Sequence, residues 1–347
     1  MKTSKDQTSL RKKDHIEICL YDDVDYLKSS GFNRYVFEHN AITEVKYDEI
    51  CLKTSFYGKE ISYPFLISCM TGGTGEALNI NSNLAEVAKA LKIPIGVGSQ
   101  RQVLENNQYL DSFKIFKKVA DFIPVLSNIG AAQVACLKSN DPIKKIIDIV
   151  NASALVIHVN PLQELLQKEG EPVFSGLLGN IEKITKEIDL PIIVKEVGAG
   201  ISKNVAKKLL DAGVKGIDVA GAGGTSWAGV ELLRKGENSE NYFWNWGLPT
   251  SYCVRTVKEL KKDYDFLLIA SGGIKSFDDI AKAIALGSDI TASARLMLQK
   301  LNSEGIEGLI NFITQLFENV KNIMYLTGCS NLREFSKVNL IKQEDLY

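Results

Sequence analysis

Charge of neither sign is in excess. Lys and Arg number 41 against 42 Asp and Glu, for a formal net charge of -1. Nothing global then points to nucleic acid or an anionic membrane, and any anion must be bound by local positive charge. Long apolar runs are also missing. Nowhere do about 18 apolar residues follow one another, the length a membrane-spanning helix needs. Residues 1–9 are polar and lack the apolar stretch of a signal peptide. The six cysteines, Cys19, Cys51, Cys69, Cys136, Cys253 and Cys329, form no C-x-x-C pair, and several sit inside apolar runs. They read as reduced, mostly structural thiols of a cytoplasmic protein. Histidine is scarcer still, with His15, His39 and His158 alone.

What is present is a rhythm. The 347 residues are 45% hydrophobic and 24% charged, enough for a substantial core. From Pro64 onward apolar runs bounded by turns recur at Phe65–Met70, Ile93–Val97, Val125–Ile129, Ala154–Val159, Ile192–Val197, Gly216–Ala220, Phe266–Ala270 and Ser288–Ala292. Amphipathic stretches lie between them, at Asn83–Leu91, Phe113–Ala120, Pro142–Val150, Val205–Ala212 and Asp278–Leu286. This alternation predicts parallel strands with helical crossovers. About eight units favour a closed α/β barrel, the (β/α)8 or TIM barrel, with the doubly wound sheet as the alternative. Residues 1–60 lack the rhythm and end in an alternating segment suited to a hairpin. They read as an N-terminal extension beside a barrel spanning 61–347. The tail after about Asn302 reads as a last amphipathic helix and a polar end. Two connections, 160–176 and 221–247, are longer than the rest; the second holds all three tryptophans, so ordered lids are expected.

Chemistry in such a fold collects where strands end. H-V-N-P-L-Q-E, from His158 to Glu164, closes the fourth run with an imidazole, an amide (Gln163) and a carboxylate able to hold a metal ion. The plainer reading is a polar loop. M-T-G-G-T-G from Met70 offers bare backbone and the Thr71 hydroxyl, although a tight turn alone would explain its glycines. In G-V-G-S-Q-R and S-N-I-G, Ser99 and Asn128 suit a heterocycle's edge and Arg101 a phosphate, unless it is a plain surface arginine. Lys195 interrupts the apolar fifth run and could stabilise negative charge on a cofactor ring. An ion pair with Glu196 is disfavoured because neighbouring strand residues face opposite ways. After the seventh and eighth runs, Gly272, Gly273, Ala294 and Arg295 have the character of a phosphate site.

Together with R-K-K-D-H (Arg11 to His15), V-K-E-V-G, A-G-G-T-S-W and W-G-L-P-T, these motifs resemble the type 2 isopentenyl-diphosphate isomerases, in family order over most of the chain. The resemblance implies an FMN-bound barrel that interconverts isopentenyl and dimethylallyl diphosphate. It implies reduced FMN, Mg2+, NADPH as reductant, and a homo-oligomer, tetramer or octamer. Carried over, Met70, Thr71, Gly72, Ser99, Asn128, Lys195 and Thr225 contact FMN, and Gly272, Gly273, Ile274, Lys275, Ala294 and Arg295 hold its phosphate. Arg11, Lys12, Ser99, Gln100, Arg101, His158 and Asn160 hold substrate, Gln163 lies by the reacting carbons, and Glu164 binds Mg2+. Two departures are Ala220, often serine in the family, and Asn245, often aspartate.

Moving the double bond adds one proton and removes another. Protonating an unactivated alkene demands a strong acid in a dry pocket. Gln163 has no useful pKa, so reduced FMN is expected as acid and base at N5, with Lys195 near N1 and Gln163 orienting. The competing readings are an FMN-dependent 2-hydroxy-acid oxidase, for which a late-strand histidine is lacking, and a non-catalytic phosphate-binding barrel.

Overall fold

The computed structural model describes residues 4–73 and 75–347, so residues 1–3 of the polar start lie outside it. Eight parallel strands close a barrel in chain order: β1 (Phe65–Ile67), β2 (Ile95–Gly96), β3 (Val125–Gly130), β4 (Ala154–Val159), β5 (Ile192–Glu196), β6 (Gly216–Asp218), β7 (Leu267–Ala270) and β8 (Ile290–Ser293). β8 pairs with β1 and the ring has no edge. Each apolar run holds one strand, and the closed barrel is the outcome rather than the doubly wound sheet.

Strand periodicity builds the mouth. In β4, Leu155 and Ile157 join the layer beneath the helices, whereas Ala154 and Val156 join the cluster inside the barrel. β5 repeats this, with Ile192 and Val194 outside and Ile193 inside. Side chains alternate with period two, so His158 and Lys195 fall on the inner face above apolar layers. The register sets His158 beside Lys195, and Lys195 beside Asp218. The floor is closed by an antiparallel hairpin, Thr54–Phe56 with Lys59–Ile61. Its turn residues Tyr57 and Gly58 have φ of 45° and 84°, as a two-residue hairpin turn requires. Phe56 and Ile61 enter the inner core from below, which leaves the polar C-terminal end as the open one.

Five helices matter to that end: α1 (Ser4–Tyr21), α2 (Pro161–Leu166), α3 (Trp227–Arg234), α4 (Phe277–Leu286) and α5 (Arg295–Leu326). α1 packs on α3 and α5. The chain after it continues as an extended segment, in which Ser226 N–H donates to Val24 O at 2.7 Å and Tyr26 N–H to Gly224 O at 2.9 Å. α4 starts with a reciprocal cap. Ser276 Oγ accepts from Asp279 N–H, and the Asp279 carboxylate accepts from the backbone of Lys275 and Ser276, which fixes the turn after β7. Both long connections are folded, as α2 and as α3 with a 3-10 turn at Tyr242–Asn245.

Two local expectations change. The stretch 113–120 is not one helix but the end of Asp111–Lys114 followed by a 3-10 turn, Ile115–Lys118. The tail is not merely a helix and a polar end: Leu340–Lys342 pairs antiparallel with Tyr35–Phe37, joining the two ends of the chain. α5 itself bends at Gly305, where φ is 69°.

Candidate active site

A cavity of about 380 Å³ opens at the C-terminal mouth of the barrel. Of the residues expected from sequence, Met70, Thr71, Gly72, Ser99, Asn128, Lys195, Thr225, Gly272, Gly273, Ile274, Lys275, Ala294 and Arg295 all line it. So do Arg11, Lys12, Arg101, His158, Asn160, Gln163 and Glu164. Gln100 does not. It is fully buried in the wall, donating to Ile146 O at 2.9 Å and accepting from Ser127 Oγ at 2.7 Å and Asn128 N–H at 3.0 Å. It stands past β2 as the residue before a short helix, Arg101–Glu105, and its side chain turns back between β3 and the helix Asp141–Val150.

On the floor, Lys195 Nζ donates to Glu196 O at 2.7 Å and stands 3.9 Å from Asp218 Oδ2. Asp218 is buried, and its other oxygen accepts from Ser271 Oγ at 2.5 Å. Burial pushes its carboxyl up, against the pull of Lys195 and Ser271. The Glu196 carboxylate faces the other way, where Val197, Gly198, Ala199 and Gly200 N–H groups donate to it. The Lys195–Glu196 side-chain pair is thus absent, as alternation requires. Asn128 Nδ2 donates to Val97 O, so its oxygen must accept from His158 Nδ1–H, at 2.9 Å. Burial, then Lys195 and Lys12, lower the His158 imidazole to about 4. It is neutral, with an accepting Nε2.

On the roof, α1 presents Arg11, Lys12, His15, Ile16 and Cys19 to the cavity, the spacing of one helix face. Lys12 Nζ donates to Gly72 O at 2.5 Å and Ser99 O at 3.4 Å. Burial, then the neighbouring Arg11, lower its ammonium to about 7. Arg101 is shared by Glu105 at 2.7 Å and Glu171 at 3.2 Å. The Glu164 carboxylate accepts from Asn160 Nδ2 at 3.1 Å and Glu171 N–H at 2.8 Å.

Three further residues complete the site, and nothing local in the sequence marks their roles. Glu231, fully buried on α3, accepts from Gln163 Nε2 at 3.1 Å and meets His15 Nε2 at 2.9 Å. Burial pushes its carboxyl up, but His15, Arg234 and Gln163 outweigh that and hold it at about 2. Trp227, one turn before it, meets His15 edge-on with ring centroids 5.2 Å apart. The third is Asp25. Its carboxylate takes Arg295 Nη1 at 2.8 Å and Lys275 Nζ at 2.5 Å, while Arg295 also donates to Cys19 O and Asp22 O. The two cations of the phosphate-like corner therefore also fasten the N-terminal segment. Asn245 accepts from Leu27 N–H at 2.9 Å, a bond that needs an oxygen but no charge. Ala220 lines the cavity with φ of 36°.

The corner formed by Gly272, Gly273 and the start of α5 fits a phosphorylated flavin. Among the described residues none accepts from the Gly272 or Gly273 N–H groups, whose φ of 92° and 74° suits glycine alone. The buried Ser68 Oγ on the cavity wall is likewise unpartnered. Bare donors at a helix start, with a lysine across the floor, are the polar set that a flavin and its phosphate require.

Fold and site together define an FMN-type (β/α)8 barrel. The family model for FMN-dependent dehydrogenases matches residues 163–342. Among solved structures, a Pediococcus acidilactici lactate oxidase matches at TM-score 0.67 and 16% identity, covering 97% of this chain and 93% of that one. A mandelate oxidase with benzoyl-formic acid matches at TM-score 0.64 and 14% identity, covering 97% of each. At such identity the likeness is one of fold. Curated relatives are nearer. The isopentenyl-diphosphate delta-isomerase of Pelodictyon phaeoclathratiforme is 42% identical over 98% of both chains. That of Nostoc sp. is 43% identical over 94% of this chain and 93% of its own. The chain belongs to the isopentenyl-diphosphate delta-isomerase family.

Proposed function

We propose that this chain interconverts isopentenyl and dimethylallyl diphosphate by a 1,3-allylic proton shift. One proton joins the terminal alkene carbon and another leaves the carbon on the far side of the double bond, with no net redox change. The observation that carries this reading is the neutral amide of Gln163, anchored through Glu231 and flanked by diphosphate-type cations over a flavin-type floor. When bound, reduced FMN supplies an acid and base at N5. Lys195 stabilises negative charge beside N1, and Thr71, Ser99, Asn128 and Thr225 hold the ring's polar edge. Gly272, Gly273, Ile274, Ala294, Lys275 and Arg295 hold the phosphate. Gln163 orients the carbon skeleton, with one Nε2–H given to Glu231 and its oxygen accepting from Asn160; a neutral amide has no useful pKa, so it does not itself originate a proton.

Arg11, Lys12 and Arg101 take the diphosphate. His158, neutral and accepting, joins them through a donor group or by gaining a proton with the anion. Glu164 would hold Mg2+. Among the described residues no group of three or more His, Cys, Asp or Glu could hold a metal, so the ion would take most oxygens from diphosphate and water. NADPH as reductant, a tetrameric or octameric assembly and a cytoplasmic location complete the reading. No helix among the described residues is long and apolar enough to cross a membrane.

The test is isomerisation of isopentenyl diphosphate by the purified protein with FMN, dithionite and Mg2+. Product should form, fall at least about a hundredfold with 5-deaza-FMN, which lacks the N5 proton site, and diminish on chelation. Full activity with 5-deaza-FMN would remove the flavin from the proton transfer. No activity with any flavin would overturn the reading.

A further inference from the structure

Arg234 is the last residue of α3, and its side chain is 9% exposed. Its guanidinium meets three carboxylates from three parts of the chain. Glu231 Oε2 on its own helix lies at 2.8 Å, Asp14 Oδ2 on α1 at 3.4 Å, and Glu169 Oε2 in the connection after β4 at 3.4 Å. None of these segments belongs to the barrel wall. Each delivers part of the roof: α1 brings Arg11, Lys12 and His15, the β4 connection brings Gln163 and Glu164, and α3 brings Glu231.

A planar fork with donors in fixed directions can serve three acceptors at once, where an ammonium is a point charge. Glu231 needs it most. That carboxylate is fully buried and ionised, and Arg234 is its shortest contact, with His15 Nε2 and Gln163 Nε2 beyond it. A buried carboxylate stripped of a partner is strongly disfavoured, so it would take up a proton or shift, and the Gln163 amide bonded to it would shift too. Asp14 occupies the same helix turn as Arg11 and His15. Its contact with Arg234 therefore fixes the height at which the diphosphate cations stand over the cavity.

We propose that Arg234 is a positioning residue for the isomerisation, closing α1 and the β4 connection over the cavity while fixing the Glu231–Gln163 bond. This rests on the reaction proposed above, but half of its test does not. In FMN-loaded protein, Arg234→Met should speed hydrogen exchange in residues 11–19 and 161–171 and leave the barrel strands unchanged. It should also raise KM for isopentenyl diphosphate and lower kcat, each by about tenfold or more. Arg234→Lys should recover part of kcat. If Arg234→Met does not fold, the double variant Asp14→Asn/Glu169→Gln keeps the Arg234–Glu231 pair. It should raise KM by about two- to fivefold with kcat within about twofold, since exposed pairs are weak. Native exchange in both segments of Arg234→Met, or faster exchange spread evenly over the barrel, overturns the proposal. So does a double variant with unchanged KM. A wild-type protein without isomerase activity defeats the reaction instead, and the exchange result then still decides whether Arg234 closes the roof.

Discussion

Lys12 is the cation whose charge depends most on its surroundings. Burial, helped by Arg11, lowers its ammonium from 10.5 to about 7. The unfolded chain therefore holds a proton that the folded one lacks between those values. The penalty of the buried charge is complete below pH 7 and relieved as pH rises toward 10.5. A diphosphate beside Lys12 reverses the preference and raises its pKa. Binding at pH 8 should then take up close to one proton, and affinity should weaken as pH rises above 7, by up to about tenfold per unit. Calorimetry in two buffers of different ionisation enthalpy measures the uptake. Arg stays charged throughout this range, so Lys12→Arg should lower the uptake by close to one proton. Equal heats in both buffers for the wild type would place the anion elsewhere.

At the scale of elements, α3 is where packing and propensity oppose each other. Gly229 lies inside this helix, and a Cβ there would stand 2.9–3.0 Å from three atoms of the Trp244 indole. That ring is 3% exposed and is pinned by its Nε1–H bond to Asp25 O. Helix propensity alone would favour Gly229→Ala by about 1 kcal/mol, but overpacking against a fixed ring costs about 1–3 kcal/mol. The variant should therefore melt at a lower temperature than the parent, with red-shifted tryptophan emission; a higher Tm would show that Trp244 yields freely. α3 also marks the limit of what the sequence discloses. The strands, their inner faces and most of the cavity were legible because period-two alternation and the glycines at strand ends are local signals. Glu231 and Arg234 give no such signal. On an isolated amphipathic helix they pass for ordinary solvated charges, and they are covered because α1 and the connection after β4 both close over them. Gln100 differs for the opposite reason: it shares a motif with Ser99 and Arg101, but the turn into the helix Arg101–Glu105 carries its amide into the wall, which adjacency in sequence does not reveal.

At the scale of the whole molecule, the barrel closes on itself, while other contacts join segments distant in sequence. One of these is the ladder between Tyr35–Phe37 and Leu340–Lys342. Each partner is only three residues long, and a two-stranded pairing between segments so far apart in sequence has no local signature. Removing residues 340–347 should leave the barrel's circular dichroism intact while exchange at 35–37 becomes fast and Tm falls by a few degrees, about 2–4 °C. Loss of the barrel signal would mean that the ladder supports the wall as well.

The same ladder sets an order of events during synthesis. Domains tend to fold as their chain emerges, and by the time β8 has left the ribosome every strand of the wall exists. The partner of residues 35–37 does not, because residues 340–342 lie downstream of both β8 and α5. A chain stalled between those two points carries a complete set of barrel strands and an N-terminal segment still lacking its far anchor. The ladder therefore closes only after all the strands of the wall have been made.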